Sequence, residues 1–216
     1  MNIFEAYGKV SQEEDNPTII NGRYQFQSES EKFISEEIMQ KLSLSSSDNL
    51  LDIGCGSGDI SYKLSKLVNS VTLCDHPSII NRIKRVYKNK KFRYIEQDFL
   101  SANLNKQKFE KILSYSVIHC LNTEKEVFEF IDKIISLLKP NGRALIGDIP
   151  NKNKLNRFLS SKKGKEFQKE WEIKKQKIGI KQTSIGDYLS KDLKFVEFND
   201  ILILNLSDYG LVILKN

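Results

Sequence analysis

Between Asn49 and Gly147 the apolar residues follow two alternating rhythms, short unbroken runs and stripes at helical spacing. The runs Asn49 to Ile53, Ser70 to Cys74, Phe92 to Glu96, Phe109 to Leu113 and Arg143 to Gly147 predict strands. The stripes Ile60, Leu64, Leu67 and Val68, then Ile79, Ile80, Ile83 and Val86, then Val127, Phe128, Ile131, Ile134, Ile135 and Leu138, predict helices. Lys139-Pro140-Asn141-Gly142 stops the last of them. Strands alternating with helices imply an α/β fold, a parallel sheet with helices on both faces. Ahead of this core, Phe33, Ile34, Ile38 and Leu42 predict a helix over Glu29 to Leu42. Behind it, Phe195 to Leu206 and Tyr209 to Leu214 are separated by Ser207 and Asp208 alone. That link is too short for a helical crossover, so the two runs predict an antiparallel pair.

A chain of 216 residues suits one domain with an appendage. Its 39% hydrophobic content supplies a core on both sheet faces. The expected division is an N-terminal arm and helix over 1–47, placed to act as a lid, and a main domain over 48–216. The net charge of +6 is uneven. The stretch Asn151 to Lys181 holds 11 Lys or Arg against 3 Glu, a local +8 that leaves −2 for the rest. It reads as a basic helical insertion, 151–181, before the terminal strand pair. No run of the ~18 apolar residues needed to cross a bilayer is present, and the first residues carry no secretory pattern. A cytoplasmic protein without membrane association is expected. Cys55, Cys74 and Cys120 lack paired spacing, which argues against disulfides and against a metal site.

The chemistry concentrates where the first strand ends, in Leu51-Asp52-Ile53-Gly54-Cys55-Gly56-Ser57-Gly58-Asp59. Glycines there let the backbone turn sharply and approach a nucleotide-like ligand. A dinucleotide fingerprint would need glycine where Asp59 stands. Asp52 and Asp59 flank the turn with negative charge, poor for a pyrophosphate and suitable for a ligand carrying an ammonium and a sulfonium. Asp75, at the end of the second strand, can accept both ribose hydroxyls of an adenosine. Asp98, after the third strand, can accept from an adenine amino group, with Phe99 against the base.

In order, LLDIGCGSGDIS, VTLCDHP, YIEQDFL, FEKILSYSVIHCLN and LLKPNGRALIGDIP resemble the class I S-adenosylmethionine-dependent methyltransferase family over roughly Asp48 to Pro150 and the final strand pair. The resemblance implies a Rossmann-like, seven-stranded sheet, mostly parallel, with a C-terminal antiparallel pair. It also implies S-adenosyl-L-methionine as cofactor and S-adenosyl-L-homocysteine as product. Gly54, Cys55, Gly56 and Gly58 would then line the methionine and ribose portion, with Asp52 near the amino group. Asp75 would bind ribose with His76 flanking it, and Asp98 and Phe99 would meet the adenine. Ser114 and Tyr115 would border the methionine tail. GDIPN followed by a basic helix resembles, more loosely, small bacterial methyltransferases associated with sugar and surface-polysaccharide modification.

Methyl transfer from a sulfonium is an in-line displacement, so alignment of the reactants supplies much of the catalysis. A hydroxyl acceptor needs a base, and His119, just after the fourth strand, is the candidate. The residues expected to meet the acceptor are Tyr7, Tyr24, Asp148 and Arg157, with Phe4 and Phe26 as further aromatics of the arm. The leading expectation is methylation of an oxygen on a small, phosphorylated or sugar-like metabolite. An RNA methyltransferase using the lysines of 151–181 is the second reading. A cofactor-binding protein without turnover is the third. A nicotinamide oxidoreductase is disfavoured by Asp59 and the carboxylates around the turn.

Overall fold

The computed structural model describes residues 3–23, 28–104, 106–149, 201–207 and 210–215, with parts of 156–173. The strands are β1 (Asn49–Ile53), β2 (Ser70–Cys74), β3 (Phe92–Ile95), β4 (Phe109–Tyr115), β5 (Leu138–Gly147), β6 (Ile201–Ser207) and β7 (Gly210–Lys215). They form one sheet in the order β3-β2-β1-β4-β5-β7-β6. The first five run parallel, with Leu51 beside both Thr72 and Ile112, and Ser114 beside Ile146. β7 pairs antiparallel with β5, Leu145 opposite Val212, and β6 pairs antiparallel with β7. The protein therefore has an α/β Rossmann-like fold built on a parallel sheet. The ladder of β5 reaches back to Leu138, well before Arg143, because an irregularity at Phe109 to Lys111 and the left-handed Asn141 absorb the Pro-Asn-Gly turn within the strand.

The helices are α1 (Ile3–Glu13), α2 (Pro17–Ile20), α3 (Ser28–Leu42), α4 (Asp59–Leu64), α5 (Pro77–Val86) and α6 (Glu124–Leu137). Three of the starts have a capping side chain. Asn16 accepts from the Thr18 N–H at 3.0 Å with Pro17 at the first helical position. His76 does the same for α5 ahead of Pro77, and Thr123 accepts from the Glu126 N–H at the start of α6. On one sheet face α6 buries Val127, Phe130, Ile131 and Ile134 against Ile53, Ile112 and Ile146. On the other, Ile38 and Leu42 of α3, Leu64 of α4 and Ile79, Ile80 and Ile83 of α5 cover Leu50, Val71 and Leu73. Burial on both faces explains why the central strands read as continuous apolar runs.

The arm before β1 is more structured than one helix. α1 lies on α5, where the small Gly8 lets the helix reach the His76 ring; a Cβ on Gly8 would stand 2.4 Å from it. Gln12 donates to Ser78 and Arg82 donates to the Asp15 carbonyl, which fixes α1 to the sheet domain. Tyr24, Phe26 and residues 195–200, predicted to begin the first strand of the terminal pair, lie outside the described residues, as does most of the basic stretch 151–181.

Candidate functional site

At the carboxyl ends of β1, β2 and β4, a cavity of about 490 Å³ opens under the N-terminal segment. That volume lies within the ~300–1,000 Å³ typical of small-molecule and cofactor sites. Its floor is the glycine turn. Gly54, Gly56 and Gly58 all have positive φ, 69°, 53° and 81°. A Cβ on Gly54 would stand 2.4 Å from Val117, and one on Gly56 2.4 Å from the Asn21 Oδ1.

Four N–H groups of this turn are consumed within the protein. Gly54 donates to the Cys74 carbonyl (2.8 Å) and Gly58 to the Cys55 carbonyl (3.0 Å). Gly56 donates to the Asp75 Oδ2 (2.8 Å) and Ser57 to the Asn21 Oδ1 (2.7 Å). A pyrophosphate is held at such turns by free N–H donors. Here those four donors are engaged, and carboxylates face the space instead. Asp52, Asp75 and Asp98 all line the cavity. The arrangement suits a cationic adenosyl compound better than a dinucleotide.

Burial sets the electrostatics of these acids. Asp52 is pushed up to about 7 by burial, with Asp75 and Asp59 adding to the rise and the Ser61 hydroxyl opposing it. Asp75 is pushed up to about 6, again by burial, against N–H donation from Gly56 and His76. Both carboxylates therefore gain from a ligand that brings hydroxyl donors or positive charge. Asp98 turns its Oδ1 to the Leu100 and Ser101 N–H groups (2.9 and 3.3 Å), so its other oxygen is the one left for a ligand. Phe99 lines the cavity and packs edge-on against Phe130 at 5.0 Å. All three cysteines border the cavity, and burial raises every one of their thiol pKa values, which leaves them unreactive.

The structure brings together Tyr7, Asp52, Gly54, Cys55, Gly56, Asp75, Asp98, Phe99 and Tyr115 on the cavity wall. Five other described residues predicted for the site, and His119, lie off it. Gly58 packs on Ile83, shaping the start of α4. His76 faces α1, its ring 4.9 Å from Phe4 and its Nε2 3.3 Å from Glu5, since its Nδ1 is occupied capping α5. Ser114 is fully buried in β4, its hydroxyl without a partner among the described residues. Arg157 is exposed to solvent. Asp148 sits just outside, bonded to the cavity residue Ser116. His119 occupies a single 3-10 turn, Ile118–Cys120, between the lining residues Val117 and Cys120. Its Nδ1 is buried without a partner among the described residues, and burial lowers its pKa.

Two residues of the roof, Asn21 and Arg23, are absent from the sequence expectations. Asn21 bridges the turn, accepting from Ser57 and donating to Asp59 at 3.2 Å. Arg23 donates to Ser116 (2.8 Å), stands 3.8 Å from Asp148 and 3.5 Å from Glu31, and lies 5.6 Å from the centre of the Tyr115 ring. The available signal was Asn21-Gly22, a turn dipeptide, followed by a single arginine.

The sequence model of the methyltransferase domain family matches residues 44–196. The chain belongs to the class I S-adenosylmethionine-dependent methyltransferases. It is similar to the ubiquinone biosynthesis O-methyltransferase of Pelagibacter ubique, 27% identical over 179 residues, 77% of this chain and 71% of that protein. It is also similar to the mitochondrial enzyme of that description from Dictyostelium discoideum, 28% identical over 134 residues. That match covers 55% of this chain and only 40% of the relative. Among solved structures, the N-methyltransferase NodS from Bradyrhizobium japonicum WM9, in complex with S-adenosylhomocysteine, shares the fold. Its TM-score is 0.64 at 15% identity, covering 100% of this chain and 99% of that one. The residues around the cavity fit the methyltransferase cofactor in their chemistry: three carboxylates able to accept from hydroxyl and amino groups line one cavity, and the turn leaves no room for a side chain at Gly54 or Gly56.

Proposed function

We propose that the protein transfers a methyl group from S-adenosylmethionine to an oxygen of a small molecule. The observation that carries this reading is the glycine turn whose N–H donors are satisfied internally while Asp52, Asp75 and Asp98 face one cavity. The bound cofactor supplies an electrophilic methyl group on a sulfonium. The chain's residues do the rest by orientation. Asp75 accepts from the ribose hydroxyls, Asp98 from the adenine amino group, and Asp52 faces the methionine amino group.

The roof supports a small acceptor. Tyr7, Ile20, Asn21 and Arg23 cover the cavity, and Asn21 and Arg23 tie this cover to opposite rims, at Ser57 and at Ser116. The charge of the walls bears on its nature. Asp52, Asp75, Asp98, Glu126 and Glu129 line the space, and among the described lining residues Arg23 is the cation, already beside Asp148 and Glu31. A neutral, hydroxyl-bearing or sugar-like acceptor suits this wall better than a phosphorylated one. Similarity to two ubiquinone O-methyltransferases supports oxygen as the nucleophile. His119, whose pKa burial lowers and which sits between the lining residues Val117 and Cys120, is the proposed proton acceptor. The reaction would take place in the cytoplasm.

The test is mass spectrometry of metabolite extracts incubated with the protein and methyl-labelled cofactor. Label in a small neutral product together with S-adenosylhomocysteine is expected; label confined to RNA would overturn the reading, and no turnover would leave a binding protein. The second reading, RNA methylation, is favoured by exposed Lys162, Lys163, Lys165 and Lys169. It predicts RNA affinity that falls steeply with salt.

A further inference from the structure

Lys133 of α6 lies outside the cavity wall, yet it grips the loop that forms the cavity's far side. Its Nζ donates to the carbonyls of Phe99 (2.5 Å), Leu100 (3.0 Å) and Ala102 (2.6 Å). An ammonium has three donors, and all three are used on one short loop. The same Nζ stands 4.9 Å from the centre of the Phe99 ring. From the opposite side, the loop's N–H groups are held by Asp98: Leu100 and Ser101 donate to its Oδ1, and Ala102 donates to its carbonyl at 2.9 Å. The loop from Asp98 to Ala102 is therefore fixed twice, three of its amides by the side chain and carbonyl of Asp98 and three of its carbonyls by the lysine. Four of its residues, Asp98 to Ser101, line the cavity.

We infer that Lys133 is a positioning residue that presents the Asp98 carboxylate to the adenine amino group and so determines recognition of the base. The inference rests on the reading that adenine lies against Asp98. Three main-chain carbonyls turned toward one point repel each other unless a cation stands there. Without the lysine they turn outward to water, the loop rotates, and the Asp98 oxygen left for a ligand loses its aim. Burial lowers the Lys133 pKa, as expected for an ammonium drawn against main-chain carbonyls at a desolvation cost. A surface lysine serving solubility alone would not be drawn in this way.

The experiment compares dissociation constants for S-adenosylhomocysteine and for S-inosylhomocysteine, in which an oxo group replaces the adenine amino group. The unaltered protein is expected to prefer the adenosyl ligand about tenfold, the scale of one well-placed hydrogen bond. K133M should bring that preference close to one, weakening the adenosyl ligand about tenfold and the inosyl ligand much less. K133R, which can still donate to carbonyls, should restore most of it. Amide exchange at Leu100 and Ser101 should quicken in K133M and not in K133R. A K133M protein with the original preference overturns the inference, even if both ligands bind more weakly. Absence of preference in the unaltered protein overturns the placement of adenine at Asp98 itself. If K133M does not fold, K133Q is read by the same ratio.

Discussion

Asp52 is 3% exposed and bonded to the buried Ser61, and its carboxyl sits near pKa 7 because burial disfavours the charge. An acid whose folded pKa lies above the unfolded value of ~3.9 binds more protons folded than unfolded between those limits. The ligand-free protein should thus lose stability as pH rises from ~4 to ~7, through both acids together until ~6, where the Asp75 contribution ends, and through Asp52 alone above that. A ligand bringing an ammonium and hydroxyl donors favours the ionised acids, so its binding should release protons near pH 6 to 7. Titration calorimetry at pH 6.5 in buffers of different ionisation heat should show that release, and D52N should reduce it; buffer-independent heats would contradict the assignment. At the turn itself, G56A places a Cβ 2.4 Å from the Asn21 Oδ1 at a φ of 53°. The combined strain and displaced side chain should cost ~1–3 kcal/mol, visible in thermal melts, and should weaken cofactor binding more than tenfold.

The α2 segment leads into the residues that cover the cavity, and control of access to the site is the role proposed for it. It is short, capped by Asn16 and Pro17, and followed by the two residues that reach across the cavity. Asn21 fastens it to the glycine turn and Arg23 to the ends of β4 and β5. There Ser116 and Asp148 both hold left-handed conformations, φ 62° and 55°, and are hydrogen-bonded to each other. Such backbone persists only where surrounding contacts over-determine it, and Arg23 is one of those contacts. Removing either fastening should speed cofactor release. R23A and N21A are each expected to raise the dissociation rate of S-adenosylhomocysteine about tenfold, one hydrogen-bonded contact's worth, in a stopped-flow displacement assay. Unchanged rates would make the segment a static wall.

For the molecule as a whole, charge is distributed by task. The cavity is acidic, whereas the chain carries +6, the sum of +8 in the stretch 151–181 and −2 elsewhere. If that stretch served RNA, binding of a short RNA should weaken by orders of magnitude between 50 and 200 mM salt, roughly one power of the salt concentration per phosphate contacted. Under the small-molecule reading, filter binding should instead show weak RNA affinity throughout, and charge-reversal of Lys162, Lys163 and Lys165 should leave turnover of the acceptor intact.

Several features were legible in the residues alone. Continuous apolar runs and helical stripes mark five parallel strands and the helices between them, because burial on two faces leaves no other pattern. The glycines at 54 and 56 and the acids at 52, 75 and 98 were legible as well, since strand ends in this topology converge on one edge. The tertiary structure decided what no local pattern encodes. It turned His76 toward α1, sank Ser114 within β4, and left His119 beside the wall, because each orientation depends on what packs opposite. It also brought Asn21 and Arg23 onto the site from 36 and 93 residues away in sequence, and set Lys133 under the Asp98 loop. A strand fixes where its end lies, and only the packing of separate elements fixes which side chains meet there.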